Sequence, residues 1–109
     1  MFNVIKNNSE ISELFNTGSY ISTKTFSVIW RKSENSQVAF IAGKKLGKAH
    51  IRNYCKRRLR EIYRQNSDLF ENKKVLLIAR NALLNTDNDQ IYKGIKKIEN
   101  VFKNKETSN

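Results

Sequence analysis

The sequence predicts an α+β fold, a small α/β sandwich in the order helix-strand-strand-helix-strand-helix. Three observations carry this reading. TFSVIW (Thr25 to Trp30) alternates and is rich in strand formers. KVLLIAR (Lys74 to Arg80) is almost continuously apolar, as a central strand buried on both faces is. Between them, Ala49 to Gln65 repeats its apolar residues at helical spacing, so a strand–helix–strand crossover joins the two halves.

Taken in order, the first helix is expected from about Asn8 to Asn16. Ile11, Leu14 and Phe15 share one face there, and Gly18 is placed to end the helix in a left-handed conformation. In the first strand Phe26, Val28 and Trp30 point one way, toward the core, while Ser27 and Ile29 point the other. RKSENSQ reads as a polar turn, and VAFIA (Val38 to Ala42) as the second strand of a hairpin. GKKLGKA connects into the long helix, and SDLFENK is a loop or a short turn. After KVLLIAR, a last helix runs from about Asp89 to Phe102. Ile91, Ile95, Ile98 and Phe102 form its apolar stripe, and Asp87 and Asp89 offer N-caps. Residues 104–109, NKETSN, read as a frayed tail. No repeat or linker divides residues 1–109, which are read as a single domain.

Composition narrows the function classes. At 39% hydrophobic residues the chain is too apolar for disorder at this charge. No apolar run approaches the ~20 residues that cross a bilayer, and MFNVIKNNSE lacks the apolar centre of a signal peptide. Cys55 is the sole cysteine, so no internal disulfide forms, and one thiol with one histidine makes a poor zinc site. These features predict a cytoplasmic protein.

The charge is concentrated. Gly43 to Gln65 holds nine Lys and Arg residues against one acid, Glu61, and so carries +8 of the formal +11. At about 100° per residue, Ile51, Cys55, Leu59 and Ile62 fall within about 80° of one another and form the buried stripe. Cys55 is then a small core residue. The far arc collects Arg52, Asn53, Lys56, Arg57, Arg60 and Arg64, with Tyr63 among them, and Arg58 lies at the edge of the apolar stripe. A helix that only needs solubility interleaves acids with its bases. A face of one sign predicts a polyphosphate partner, with guanidinium groups forking onto phosphates and Tyr63 available to stack on an unpaired base.

Protein-borne nuclease chemistry would require clustered carboxylates or histidines. The ten acids are dispersed, and His50, the single histidine, stands at a helix start where capping or a surface role suffices. No catalytic or metal-ligating residue is assigned, and the protein alone is expected not to cut RNA. A non-enzymatic RNA binder such as a small ribosomal protein would show the same basic surface. A helix-turn-helix DNA binder fits less well, because the basic helix lies between two strands. A membrane-surface role would take the apolar stripe that the core needs.

GKKLGKAHIRNYCKRRLRE resembles the signature of the protein subunit of bacterial ribonuclease P, on Lys44, Lys45, Gly47, Ala49, Arg52, Asn53, Lys56, Arg57, Arg60 and Glu61. Phe15 and Gly18, Phe26, and LLIAR with Arg80 extend the likeness over nearly the whole chain. Two departures stand out. Tyr54 replaces the second arginine of an Arg-Asn-Arg motif, and Ile11 and Ile29 occupy positions that are usually aromatic in the family's cleft. The resemblance implies a left-handed βαβ crossover, against the general rule. It also implies a holoenzyme that removes the 5′ leader of precursor tRNA. In such an enzyme magnesium is bound mainly by the catalytic RNA subunit and the substrate, and the protein has no intrinsic cofactor. By that resemblance Lys44, Lys45, Lys48, Arg52, Asn53, Lys56, Arg57, Arg60 and Arg64 contact RNA, and Ile11, Phe15, Ser27 and Ile29 line a cleft for the leader. Phe15 fits either the cleft or the core. Arg80 is either a structural partner or a second RNA contact.

Overall fold

The computed structural model describes residues 3–107. Its elements are β1 (Asn3–Val4), α1 (Asn8–Thr17), β2 (Ser19–Ser22), β3 (Phe26–Lys32), β4 (Gln37–Ile41), α2 (Ala49–Gln65), β5 (Lys73–Ala79) and α3 (Asn88–Thr107). Short 3-10 turns cover Lys44–Leu46 and Asn81–Asn85. The five strands form one sheet in the order β1-β4-β5-β3-β2. The mixed α+β class is as predicted.

The strand pairing corrects one expectation: β3 and β4 are not a hairpin. β5 lies between them, antiparallel to β3 and parallel to β4. Two facts explain the arrangement. LLIA is apolar on both faces and needs a neighbour on each side, and the polar 33–36 segment is long enough to step over one strand, a distance of about 10 Å or two strand spacings. That segment also grips the entry to β5. Ser33 N–H donates to the Asn72 carbonyl at 3.0 Å, and Asn72 N–H donates to Ser36 Oγ at 2.9 Å. The antiparallel hairpin is instead β2 with β3, pairing Tyr20 with Ile29 and Ser22 with Ser27. The β4–α2–β5 unit supplies the crossover.

The parity read from TFSVIW holds. One face of the sheet carries Phe26, Val28, Trp30, Val38, Val75 and Leu77, buried under Cys55, Leu59 and Ile62 of α2 and Ile95, Ile98 and Phe102 of α3. The other face carries Ile29, Ala39 and Leu76, covered by Leu14 of α1 and by Ile5. Ion pairs from Glu13 to Arg31 (2.9 Å) and from Glu10 to Lys74 (3.4 Å) hold α1 against β3 and β5.

Gly18 is not left-handed as expected; its φ is −77°. Its glycine answers to crowding. A Cβ there would stand 2.6 Å from Ile29 Cγ2 and 2.7 Å from the Leu14 carbonyl, which accepts the Gly18 N–H. The positive-φ glycine is Gly47, at 137°, where the chain swings into α2. Asp87 caps α3 as predicted, accepting Gln90 N–H at 3.0 Å. α3 runs past Phe102 to Thr107, so residues 104–107 of the expected tail are helical, while Ser108 and Asn109 lie outside the described residues.

Candidate nucleic-acid interface

α2 has the boundaries its sequence predicted, and its charges lie where the helical wheel put them. Asn53, Lys56, Arg57, Arg60 and Arg64 are exposed, and Arg52 and Arg58 are half-buried. Lys44, Lys45 and Lys48 are exposed in the approach to the helix. Among the described residues, no carboxylate pairs with any of these cations. The surface therefore holds its positive charge uncompensated.

Local packing fixes part of it. The Arg60 guanidinium lies over the Phe40 ring of β4, 5.4 Å from its centroid, which holds the head group at a set height. Arg52 Nε is out of solvent with no acceptor, an N–H that an incoming oxygen would satisfy. The N-terminus of α2 has no side-chain cap and no acid in its first turn, so its partial positive charge adds to that of Lys44, Lys45 and Lys48.

Cys55 is buried as expected, and burial pushes its thiol pKa up, with Arg58 opposing. Tyr63 is a correction. It is 1% exposed and stacks on Phe70 (5.2 Å, 13° between planes), with Phe40 edge-on at 6.0 Å. It belongs to the core and offers no ring to a base.

The expected cleft residues are dispersed differently from the sequence reading. Phe15 is 50% exposed, which settles it as surface, and Ile11 is half-buried beside it on α1. Ile29 and Ser27 point to the expected face, yet both are buried: α1 covers Ile29, and Ser27 Oγ hydrogen-bonds to the Tyr20 hydroxyl at 3.0 Å. The side chain that stands proud there is Tyr20, which the sequence reading passed over. Arg80 is exposed and donates from Nη1 to Ser22 Oγ (2.5 Å) and to the Thr23 carbonyl (3.0 Å).

A small α+β sandwich whose crossover helix presents a cationic face that makes no ion pair among the described residues has a surface suited to a polyanion. The sequence profile of the family described as Ribonuclease P matches residues 2–104, and the chain belongs to that family. A ribonuclease P protein component from Fusobacterium nucleatum is 34% identical over 106 residues, spanning 94% of this chain and 96% of its own length. One from Citrifermentans bemidjiense is 42% identical over 69 residues, 61% of this chain and 60% of its own. The fold agrees with that of the RNase P protein of Staphylococcus aureus (TM-score 0.77, 23% identity, 94% and 97% of the two chains). It agrees also with that of Thermotoga maritima (0.74, 23%, 88% and 94%). Proteins of this family are subunits of a ribonucleoprotein that matures tRNA, with catalysis borne by the RNA. The ribosomal-protein alternative is thereby set aside.

Proposed function

We propose that this chain binds the RNA subunit of ribonuclease P through α2 and guides the 5′ leader of precursor tRNA across the sheet face beside α1. The observation that carries the reading is the unpaired cationic face of Arg52, Lys56, Arg57, Arg60 and Arg64 with Asn53, extended by Lys44, Lys45 and Lys48. Each guanidinium can donate two parallel hydrogen bonds to phosphate, and each phosphate bound releases counterions. The protein thus lowers the repulsion between two RNAs that must approach closely. Phe15 and Ile11 supply an apolar border for leader riboses and bases. Ser27 and Ile29, buried in the protein by itself, shape this border from beneath.

Magnesium is implied by the family, and this chain's residues do not fit a site for it. Among the described residues no three His, Cys, Asp or Glu side chains gather together, and the α2 surface has one acid, Glu61. The ion is assigned to the RNA subunit and substrate phosphates. No described helix is long and apolar enough to cross a membrane, and the reading places the protein in the cytoplasm with its tRNA substrates.

The test is cleavage of precursor tRNA by a bacterial ribonuclease P RNA at low magnesium, with and without this protein. Cutting at the mature 5′ end only in the mixture is the expected result. RNA binding without stimulation, or cutting by the protein alone, would overturn the assignment.

A further inference from the structure

A second unpaired cationic group lies at the far edge of the sheet from α2. Ile41, Ile78, Ser27 and Ser22 are successive register partners across β4, β5, β3 and β2. They form one row, about 14 Å long at ordinary strand spacing, on the face that α1 shares. Ile41 and Ile78 are only half-buried in this row. At its β4 end the chain passes directly into Lys44 and Lys45. At its β2 end Arg80 grips Ser22 Oγ, and Lys97 of α3 reaches round the sheet edge to donate from Nζ to the Ser22 carbonyl at 2.5 Å. The close approach of α3 depends on Gly94, where a Cβ would stand 3.1 Å from Thr23. Both cations are exposed, and among the described residues no carboxylate pairs with either.

Tyr20 stands beside this pair. It is 63% exposed and contributes to neither core cluster. Its hydroxyl is held by Ser27 at 3.0 Å, so the ring is anchored at its tip while its body faces solvent. Its register partner is Ile29, which places it on the same face as the row. Hydrogen bonds from Ser27 and Ser22, and then the charges of Arg80 and Lys97, lower the phenol's pKa. Arg80 and Lys97 both bond Ser22, two residues along β2 from Tyr20 and on the same face, so the two cations and the ring stand at one end of the row.

We propose that Tyr20 is a stacking platform for a base of single-stranded RNA leaving the sheet at its β2 edge, with Arg80 and Lys97 holding the adjoining phosphate. The chemistry matches the ligand. An aromatic face accepts any base, and two unpaired cations suit one backbone phosphate. The row gives the strand a floor, apolar at Ile41 and Ile78 and hydroxyl-bearing at Ser27 and Ser22, between the cations at its two ends. This inference rests on the leader-binding reading above and extends that path away from α2.

The experiment uses the protein reconstituted with a bacterial ribonuclease P RNA and two precursor tRNAs, one with a long leader and one with a single-nucleotide leader. Wild type is expected to bind the long leader more tightly. Tyr20→Ala should lose about 10-fold on the long leader and nothing on the short one. Tyr20→Phe, which keeps the ring and drops the Ser27 hydrogen bond, should stay close to wild type. Lys97→Gln should weaken the long leader alone and flatten its salt dependence. Equal behaviour of Tyr20→Ala on both substrates, or no loss on either, would overturn the platform. If wild type itself fails to prefer the long leader, the leader path fails first, and that result is visible before any substitution is made.

Discussion

α2 and α3 are both basic amphipathic helices packed on the same face of the same sheet, and they treat their charge differently. On α3, Lys93 pairs with Asp89 at 3.5 Å, and Lys96 and Lys103 both pair with Glu99, at 3.6 and 3.8 Å. Asp87 caps its first turn. On α2 no described acid meets any of the basic residues, and the first turn has neither cap nor acid. Three lysines of α3 are thus compensated within the helix. α2 repels itself until an anion arrives. The difference teaches that the count of lysines and arginines does not mark a binding surface; the absence of compensating acids does. Lys97 supports the point, since among the described side chains of α3 it bonds a carbonyl and no carboxylate, and it stands at the proposed leader exit.

The largest effect should come from removing charge on one helix and then on the other. Arg52→Gln with Arg60→Gln is expected to weaken binding to the RNA subunit by about 100-fold or more, from two charge-assisted contacts of about 1.5–3 kcal/mol each. Lys93→Gln with Lys96→Gln should change it less than about threefold. Filter binding over a salt series reads both, and the α2 pair should also flatten the salt slope by about two phosphates' worth. Equal losses from the two pairs would erase the comparison and make net charge the whole cause.

A smaller effect should follow from giving α2 the pattern of α3. Lys56→Glu places an acid one turn from both Arg52 and Arg60. Thermal stability should rise slightly, by about 0.3–0.5 kcal/mol per pair, while RNA affinity falls about 10-fold or more. Opposite signs in the two measurements are the diagnostic. A loss of both would mean that Lys56 serves the fold.

Much of this contrast was legible in the sequence. Charge and apolar periodicity coincide over Ala49 to Gln65, so the helix and its outer face were read correctly. Tyr63 departs from its expected exposed place for a definable reason. At about 120° from Ile51 it sits between Leu59 and Lys56 on the wheel, and an amphipathic ring at that border goes wherever a partner waits. Its partners, Phe70 and Phe40, come from other elements. The insertion of β5 between β3 and β4 is equally non-local, although the two-sided apolarity of LLIA carried a hint of it. β1 and β2, of two and four residues, are too short for periodicity to declare. Missing β2 hid Tyr20, because only its register against β3 shows that the ring shares a face with Ile29.

The smallest expected effect tests the balanced helix itself. The Tyr92 hydroxyl, one turn before Lys96, holds the ammonium by a hydrogen bond, with Glu99 adding its charge, and together they raise the Lys96 pKa above its ordinary 10.5. A raised pKa in the folded state means the charged form is the one that folding favours. The contribution of Lys96 is therefore fully present below the unfolded value and is lost as pH rises through the folded one. Nothing should change near neutrality, and a slight fall in stability should appear only on the alkaline side. Tracking the Lys96 side chain by NMR through an alkaline titration checks this directly: Tyr92→Phe and Glu99→Gln should each bring the midpoint back toward 10.5. Because that compensation lies within α3 and the RNA subunit is assigned to α2, adding the RNA subunit without substrate should leave the Lys96 midpoint where it was. A midpoint that moves with the RNA subunit would show that α3 joins the subunit interface and not only the proposed leader exit at Lys97, and the division of labour between the two helices would have to be redrawn.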